Sequence, residues 1–511
     1  MSIELTTNEI RSEKIFYDGF AEQSVDSDIS LPDYCPDIMR ILKCTVQTNI
    51  TNSKISGDRA TADCNSKIRV IYSDEKNNIC CYDTDYPFSK YAELSSAYDG
   101  AVLTCTAKTD YINCRAVSKR RIDIHGVVSL HFTVCSTDSE KIISSAAGDG
   151  IQLKRKGIDA SSVTAVTSKS FQFSETEEIG DGAPGIGKIM NTSASPVLTE
   201  TKIIKGKILL KGEVCIKVLY CTDSGENETA ELNCSLPFNE IAEAADFTDE
   251  CLPETTLNIT QLSAEPKTDN DGEYRYMNIS GEVCASVRTY LPVSVNVITD
   301  AYSTQSEIDS KYNLVDFIKV QQSFSEGLSC RQSLDISSLS PEKLYACIAA
   351  EPQAKSVFSD GKISVKGKIP LCIIFVDSEG VPVSCEREAE FEFSRLTDSD
   401  SQKLYCSPNA VLTGYSCALS ADGKIDFKAE MNISAVIKEG IKEKVMTDLN
   451  ISEGSLPKEK KSSFTVYFCS GKESLWDIAR RYNTTVEEIM EENELSADYL
   501  ENKTVLMIPV K

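Results

Sequence analysis

Histidine is almost absent from this chain, which has only His125, His131 and one tryptophan in 511 residues. The two histidines are six residues apart in one alternating segment, which places them on the same polar face of a strand, about 20 Å apart. That distance is too great for a shared metal ion. No two of the twenty cysteines have the Cys-x-x-Cys spacing of zinc sites. We therefore predict no metal site.

Basic surface and long apolar segments are also missing. The net charge of −25 argues against partners such as nucleic acid or an anionic membrane, which require a basic patch. No apolar run approaches the length of a membrane span, so no membrane insertion is expected. The first nine residues contain neither the basic nor the apolar region of a secretory signal. We expect a cytoplasmic protein whose cysteines are reduced thiols that serve as small core residues.

Catalytic signatures are equally sparse. Residues 182–188 match the Gly-x4-Gly-Lys core of a phosphate-binding loop, but Ile189 follows in place of the hydroxyl residue that would hold Mg²⁺. No Gly-x-Ser-x-Gly nucleophile elbow occurs, and no pair of carboxylates is distinguished by its spacing. The sequence therefore predicts no catalytic residues, no cofactor and no enzyme activity.

What is present is a β-rich unit of about 150 residues that occurs three times. The units are predicted at residues 1–160, 161–310 and 311–452. Each has a glycine (Gly57, Gly206, Gly361) before an alternating strand that ends in an aromatic residue (Tyr72, Tyr220, Phe375). A longer alternating strand follows, for example from Ile122 to Val134 in the first unit, and each unit ends in a Thr-Asp pair. Such alternation is typical of antiparallel sheets with one buried face, so we predict three tandem β-sandwich-like units in a mainly β protein.

The first unit opens with a distinctive motif. It reads Pro32-Asp33-Tyr-Cys-Pro36-Asp37-Ile38-Met-Arg40-Ile-Leu42. This Pro-Asp-x-x-Pro-Asp-Ile stretch, followed by Arg-Ile-Leu, resembles the opening of SPOCS domains in sporulation proteins of the Clostridia type. The resemblance implies that the three β-units are SPOCS-like.

The last 48 residues, 464–511, have a different pattern. A short strand from Phe464 precedes a helical segment, 474–482, in which apolar residues recur at helical spacing. Thr485-Val-Glu-Glu488 is a capping box for a second helix, and a strand ending at Ile508-Pro509 closes the segment. This βααβ order, with its Leu-Trp-x-Ile-Ala and Tyr-Asn-Thr-Thr-Val stretches, resembles the LysM family. A polar linker is predicted before it, at residues 453–463.

LysM domains bind N-acetylglucosamine polymers such as peptidoglycan, or they dock other proteins. The family's groove lies between the first turn and the loop before the last strand. The resemblance implies a binding or docking surface made of Gly471, Lys472, Glu473, Ser474, Leu475, Trp476, Asn493, Leu495, Leu500 and Lys503. Two positions depart from the family pattern, because the turn reads Lys472-Glu473 where Gly-Asp is usual and Lys503 replaces the glycine of Leu-x-x-Gly. Glycine permits a tight turn and close ligand approach, so protein docking is favoured over glycan binding.

SPOCS-like units followed by one C-terminal LysM module resemble the SipL-type family of spore coat morphogenetic proteins. That resemblance implies a non-enzymatic scaffold or adaptor in endospore coat assembly. It would act in the mother cell cytoplasm and dock, mainly through LysM, to the coat basement-layer ATPase SpoIVA at the forespore surface, alongside other coat proteins. The alternative is a peptidoglycan-binding protein that uses LysM as a glycan anchor and the β-units as a spacer.

Overall fold

The computed structural model describes residues 3–96, 100–180, 182–204, 206–224, 228–243, 248–397, 403–452 and 464–509. It is mainly β, as predicted, with two short α-helices near the C-terminus. All strand pairs in the described residues are antiparallel. The predicted linker at 453–463 lies outside the described residues. No helix among the described residues is long and apolar enough to cross a membrane.

Unit 1 consists of two three-stranded sheets that enclose one apolar core. Its strands are β1 (Glu4–Ser30), β2 (Arg40–Ser56), β3 (Arg59–Ser73), β4 (Ile79–Glu93), β5 (Val102–Ser118) and β6 (Arg121–Ala147). One sheet has the order β1-β6-β5 and the other β2-β3-β4. The alternating residues predicted to share a face, such as Ile124, Leu130 and Phe132 of β6, are fully buried against the opposite sheet. The period-two pattern therefore identified the core face of the central strands.

Units 2 and 3 repeat this arrangement. The strands of unit 2 are β7 (Ile151–Glu178), β8 (Ile186–Ile204), β9 (Lys207–Thr222), β10 (Thr229–Glu243), β11 (Leu252–Thr268) and β12 (Tyr274–Ser303). Those of unit 3 are β13 (Ile308–Asp335), β14 (Pro341–Ala349), β15 (Gln353–Ser359), β16 (Lys362–Asp377), β17 (Pro382–Leu396), β18 (Leu404–Tyr405), β19 (Asn409–Leu419) and β20 (Lys424–Ile451), with a 3-10 turn at Ser337–Leu339. The predicted boundaries at 160/161 and 310/311 fall within β7 and β13.

The repeat landmarks occupy equivalent positions in the three units. Gly57, Gly206 and Gly361 each lie, with positive φ, in the hairpin turn before a central strand, where glycine avoids steric strain. Those central strands are β3, β9 and β16, and their terminal aromatics Tyr72, Tyr220 and Phe375 are all buried. The Thr-Asp pairs agree only in part. In units 2 and 3, Asp300 and Asp448 occupy the same register position, directly after a bulge. In unit 1 that position is Ser145, and Asp138 lies seven residues before it in the chain.

The outer halves of the long strands extend beyond each sandwich as two-stranded ribbons. The ribbons contain residues 136–147 of β6, 291–303 of β12 and 440–451 of β20, each paired with its partner strand. Equivalent residues of the three ribbons, Ile142, Val297 and Val445, are buried together in one cluster. A second cluster joins Ile71, Leu219 and Ile374 of the central strands. The three units therefore pack through equivalent surfaces around a shared centre.

The opening motif of unit 1 has a structural role. The Arg120 guanidinium donates to the carbonyl of Pro32 at 2.7 Å and to the Asp37 carboxylate at 2.8 Å. In unit 2, Arg275 donates in the same way to the carbonyls of Ala183 and Gly180. The motif and its arginine thus close one end of the sandwich with charge-assisted hydrogen bonds.

The fold revises one prediction made from the sequence and explains another. Cys347 and Cys417 are joined by a disulfide, so the prediction that all cysteines are thiols is wrong for this pair, while the other eighteen are free. The stretch resembling a phosphate-binding loop continues directly into β8, so no helix follows it to face a phosphate.

Candidate functional site

The C-terminal module has the predicted βααβ order. Its elements are β21 (Phe464–Cys469), β22 (Glu473–Ser474), α1 (Leu475–Tyr482), α2 (Val486–Glu492), β23 (Tyr499–Leu500) and β24 (Thr504–Pro509). Strands β21 and β24 form one small sheet, and both helices pack on one of its faces. The Ser474 hydroxyl caps α1, and Thr485 with Glu488 forms the predicted capping box of α2.

The first turn and the loop before the last strand meet, as the family groove requires. Glu473 pairs with Leu500 and Ser474 with Tyr499 in a short bridge between β22 and β23. Gly471 has a φ of +88°, and a Cβ there would lie 3.0 Å from the carbonyl oxygen of Glu501. This approach explains why glycine is needed at that position.

Lys472 has a φ of +59°, so this lysine occupies the left-handed conformation in which glycine is usual. Lys472 and Lys503 are both exposed, and they lie on the two segments that meet at Gly471. Between them, the Glu473 carboxylate accepts hydrogen bonds from the hydroxyls of Ser470 at 2.9 Å and Tyr467 at 3.1 Å. Hydrogen bonds from the Cys469 thiol and from Ser470 lower the pKa of Glu473. The turn is therefore held in shape by a carboxylate that stays ionised.

The remaining predicted site residues have mainly structural contacts. Leu475 and Leu500 are buried in the module's core, and Leu495 packs against it. The Asn493 side chain donates to the carbonyls of Ile489 and Met507 and accepts from the Met507 amide at 2.7 Å. Asn493 therefore ties α2 to β24. Of the ten predicted residues, those with surface available to a partner are concentrated at the first turn and at Lys503.

Trp476 contacts unit 2. Its indole Nε1 donates to the Asp300 carboxylate at 2.8 Å, and its ring packs edge-on against Tyr302 at 4.8 Å between centroids. Arg480, one turn later on α1, forms an ion pair with the same carboxylate at 3.0 Å. Trp476 is consequently half-buried by an intramolecular contact.

Tyr302 is the second element of this contact. It is buried among the core residues of the module, and its hydroxyl donates to the carbonyl of Thr484 at 2.8 Å. Burial raises the pKa of Tyr302, so the phenol remains protonated and able to donate. The end of the unit 2 ribbon thus supplies a core residue to the LysM module. This interface was not predicted from the sequence, and no local pattern around Asp300 or Tyr302 signals it.

The face of the small sheet that points away from the helices is apolar and exposed. Its residues are Phe464, Val466, Phe468, Val505 and Met507, with 45–75% of their surface exposed. Register places Val466 opposite Met507 and Phe468 opposite Val505, so the side chains form one continuous patch. We call these five residues the apolar sheet face. The sequence of β21 could have revealed this face, because large apolar residues occur at every second position, Phe464, Val466 and Phe468. The residues on the other side of the strand, Tyr467 and Cys469, point toward the helices.

The apolar sheet face ends next to the first turn. Phe468 is followed by Cys469, Ser470 and the Gly471-Lys472 turn, and Val505 is preceded by Lys503 and Thr504. The most exposed residue of the face, Phe468 at 75%, therefore lies at the end that also carries the two lysines. The surface combines an apolar face with cationic groups at one end.

The histidines lie elsewhere, in unit 1. His125 contacts the carboxylates of Asp26 at 2.7 Å and Asp123 at 3.1 Å, and His131 pairs with Asp18. The hydrogen bond to Asp26, followed by the nearby charge of Asp123, raises the pKa of His125. The contacts with Asp26 and Asp18 connect β6 to β1. No group of three or more potential ligands in the described part of the chain is arranged to hold a metal ion.

Comparison with protein-family models finds three matching segments. Residues 37–117 and 185–267 match the family described as SipL, SPOCS domain, and residues 472–509 match the LysM domain. The first SPOCS segment contains β2 to β5 of unit 1, except for Ser118 at the end of β5. The second contains β8 to β11 of unit 2, except for Thr268 at the end of β11. No curated protein and no solved structure matches the chain. The predicted resemblance to a SipL-type protein with a C-terminal LysM module is confirmed.

These matches set the general function of the chain. The combination of SPOCS and LysM domains is that of a sporulation-related adaptor whose LysM module belongs to a class capable of binding peptidoglycan. Both kinds of domain are binding or scaffold domains rather than catalytic ones.

Proposed function

We propose that this chain is a non-enzymatic scaffold of endospore coat assembly that docks, through its LysM module, to a SpoIVA-like coat ATPase at the forespore surface. In this role it acts in the mother cell, where it connects that ATPase to other coat proteins. The three β-units form the body of the scaffold, and the LysM module carries the docking surface.

The observation that supports protein docking is the apolar sheet face. Contiguous exposed apolar patches on a soluble domain typically mark contacts with other macromolecules. Aromatic residues such as Phe464 and Phe468 are favoured in protein interfaces because each buries a large area with few rotatable bonds. A sugar groove between the turn and the loop would leave this face without a role.

The lysines at the end of the face indicate the chemistry of the partner. Lys472 and Lys503 are exposed, and no ion pair with a carboxylate is found for either within the described residues. They would complement acidic groups that flank an apolar ridge on the partner. The overall charge of −25 favours a partner whose remaining contact surface is basic or neutral.

The first experiment measures binding of the purified full-length chain to an immobilised SpoIVA-like ATPase. Phe468→Ala should weaken binding by at least tenfold, because truncating an aromatic hot spot of an interface typically costs about 2 kcal/mol or more. The matched control is Leu396→Ala, since Leu396 is similarly exposed, at 68%, but lies on β17 of unit 3. Unchanged binding by the Phe468 variant would contradict docking through the apolar sheet face.

The second experiment compares the two possible ligands of LysM. The full-length chain is incubated with insoluble peptidoglycan in the presence and absence of free chitooligosaccharide. We expect weak retention that the oligosaccharide does not change. Firm retention that the oligosaccharide abolishes, together with no binding to the ATPase, would favour the glycan anchor instead.

A charge test addresses the lysine end of the surface. Lys472→Glu combined with Lys503→Glu should weaken ATPase binding several-fold at low ionic strength and less at high ionic strength, because salt screens exposed charges. Both residues are exposed, so thermal stability should change little. Full binding by this variant at low salt would mean that the partner contacts the module without using these two lysines.

A further inference from the structure

The disulfide of unit 3 joins the two sheets of its sandwich. Cys347 lies on β14 opposite Ile373, and Cys417 lies on β19 opposite Phe427. Their Cα atoms are 6.3 Å apart, within the range that a disulfide spans, and the residues are 70 apart in sequence. The bond therefore ties the two halves of the unit 3 core together.

Unit 1 has cysteines at both equivalent positions. Cys44 on β2 is opposite Val70, which lies two residues before Tyr72. In the same way, Cys347 is opposite Ile373, which lies two residues before Phe375. Both strands also have a register shift immediately before the cysteine. On the other sheet, Cys114 of β5 is opposite Ile124.

The position of Ile124 in unit 1 corresponds to that of Phe427 in unit 3. Ile29 faces Ile122 and Leu334 faces Ile425 near the ends of the matching long strands, and Ile124 and Phe427 follow two residues later. Cys44 and Cys114 are 114 − 44 = 70 residues apart, the same separation as in unit 3. Cys44 is buried in the core of unit 1, and Cys114 packs against the same core. The two pairs are thus equivalent in register and in sequence separation.

Unit 2 has no cysteine at either position. The residue opposite Val218 is Thr192, and the residue opposite Ile279 is Ala264. The same sandwich therefore forms without the pair, so its presence in units 1 and 3 is not required by the fold.

We propose that Cys44 and Cys114 are a second cross-linking site, at which a disulfide forms between the two sheets of unit 1 when the protein meets a disulfide oxidant such as oxidised glutathione. The inference is independent of the proposed docking role of the LysM module. It leaves unit 2, to which the LysM module is attached, as the one unit without an internal cross-link at this position.

The reaction proceeds by thiol–disulfide exchange. The thiolate of Cys114, which is the less buried of the two residues, attacks glutathione disulfide and releases one glutathione thiolate. The Cys44 sulfur then loses its proton to solvent and attacks the sulfur of Cys114, which releases the second glutathione. Two protein thiols and one glutathione disulfide thus yield one protein disulfide and two glutathione thiols. The hydrogen bond with Cys44 lowers the pKa of Cys114, which favours its thiolate as the first nucleophile.

The test uses the full-length chain, reduced with dithiothreitol, freed of reductant and incubated with oxidised glutathione. Remaining thiols are alkylated, and non-reduced peptides are mapped by mass spectrometry. We expect a peptide that links Cys44 to Cys114 beside the one that links Cys347 to Cys417. Cys251 is the control, because its buried thiol contacts the Thr164 and Thr248 hydroxyls rather than another sulfur, and it should be alkylated after unfolding.

The proposal is overturned if Cys44 and Cys114 are both alkylated, or remain as mixed disulfides with glutathione, while the unit 3 disulfide has re-formed. A second measurement does not depend on peptide mapping. Oxidation should raise the unfolding temperature of unit 1 by roughly 5–15 °C, because a 70-residue loop is closed in the unfolded state. Cys114→Ser, at a partly exposed position, should fold normally and lose that rise. A rise of equal size in the variant would also overturn the proposal.

Discussion

The ribbons of units 2 and 3 place the same residue at the same site, but its partners differ. Asp448 of unit 3 pairs with Lys311 directly across the strands, at 3.3 Å. Asp300 of unit 2 has Lys154 across from it, yet its carboxylate accepts from Trp476 and Arg480 of the LysM module. The position that forms a surface ion pair in unit 3 therefore binds the LysM module in unit 2.

The backbone explains why this position suits attachment. A bulge at Thr299 or Thr447 precedes each aspartate and changes the direction in which the following side chain points. The unit 2 ribbon differs two residues later, where Tyr302 replaces Asn450 of unit 3. A buried aromatic ring adds apolar contact that the partly buried carboxylate of Asp300 lacks, so Tyr302 should provide most of the attachment energy.

The largest effect is expected for Tyr302→Ala. Tyr302 is 4% exposed and lies in the core of the LysM module, and truncating such a residue typically costs about 3–5 kcal/mol. The free energy of unfolding of the module should fall by that order in urea titrations. Trp476 is the only tryptophan, so its fluorescence reports this contact directly.

Asn450→Ala is the matched control for Tyr302→Ala, because it changes the equivalent residue of unit 3. Its side chain donates to Asp448 at 2.9 Å, and among the described residues it has no hydrogen bond to the LysM module. The fluorescence transition of Trp476 should not move in this variant. Equal shifts in the two variants would show that the module responds to the general stability of the ribbons rather than to attachment at unit 2.

An intermediate effect is expected for Asp300→Asn. An asparagine retains an acceptor for the Trp476 indole but removes the charge that pairs with Arg480, so we expect a loss of about 1–3 kcal/mol in the same titration. Asp448→Asn breaks an exposed pair in unit 3 and should cost less than about 1 kcal/mol, without an effect on Trp476. If the two asparagine variants cost the same, the two aspartates have equivalent roles after all.

Much of the fold was accessible from the sequence because it depends on local periodicity. The alternation from Ile122 to Val134 identified the core face of β6, and the helical spacing around Trp476 identified α1. The repeated glycines marked hairpin turns because their backbone conformation is nearly specific to glycine. Such features need no knowledge of what lies far away in the chain.

The contacts that combine distant segments were not accessible. The sequence placed Trp476 on the binding surface of the module, but its partners Asp300 and Tyr302 are more than 170 residues away, and no spacing rule links them. The pairing of Cys347 with Cys417 was missed for the same reason, since both appear in the sequence as isolated small residues. Predicting either contact requires the register of strands that are not neighbours in the chain.

The smallest effect is expected for Arg480→Gln. Arg480 is 55% exposed, and its ion pair with Asp300 is accessible to solvent, so removing it should cost about 0.2–1 kcal/mol at low salt. Salt screens this pair, so the difference from the unsubstituted protein should shrink as ionic strength increases, whereas the Tyr302→Ala difference should not. The urea titration of Trp476 fluorescence at two salt concentrations measures both. Lys311→Gln removes the corresponding pair in unit 3 and should leave Trp476 unaffected. A loss for Arg480→Gln that is larger than for Tyr302→Ala, or that salt does not reduce, would mean that charge rather than aromatic packing holds the LysM module on unit 2.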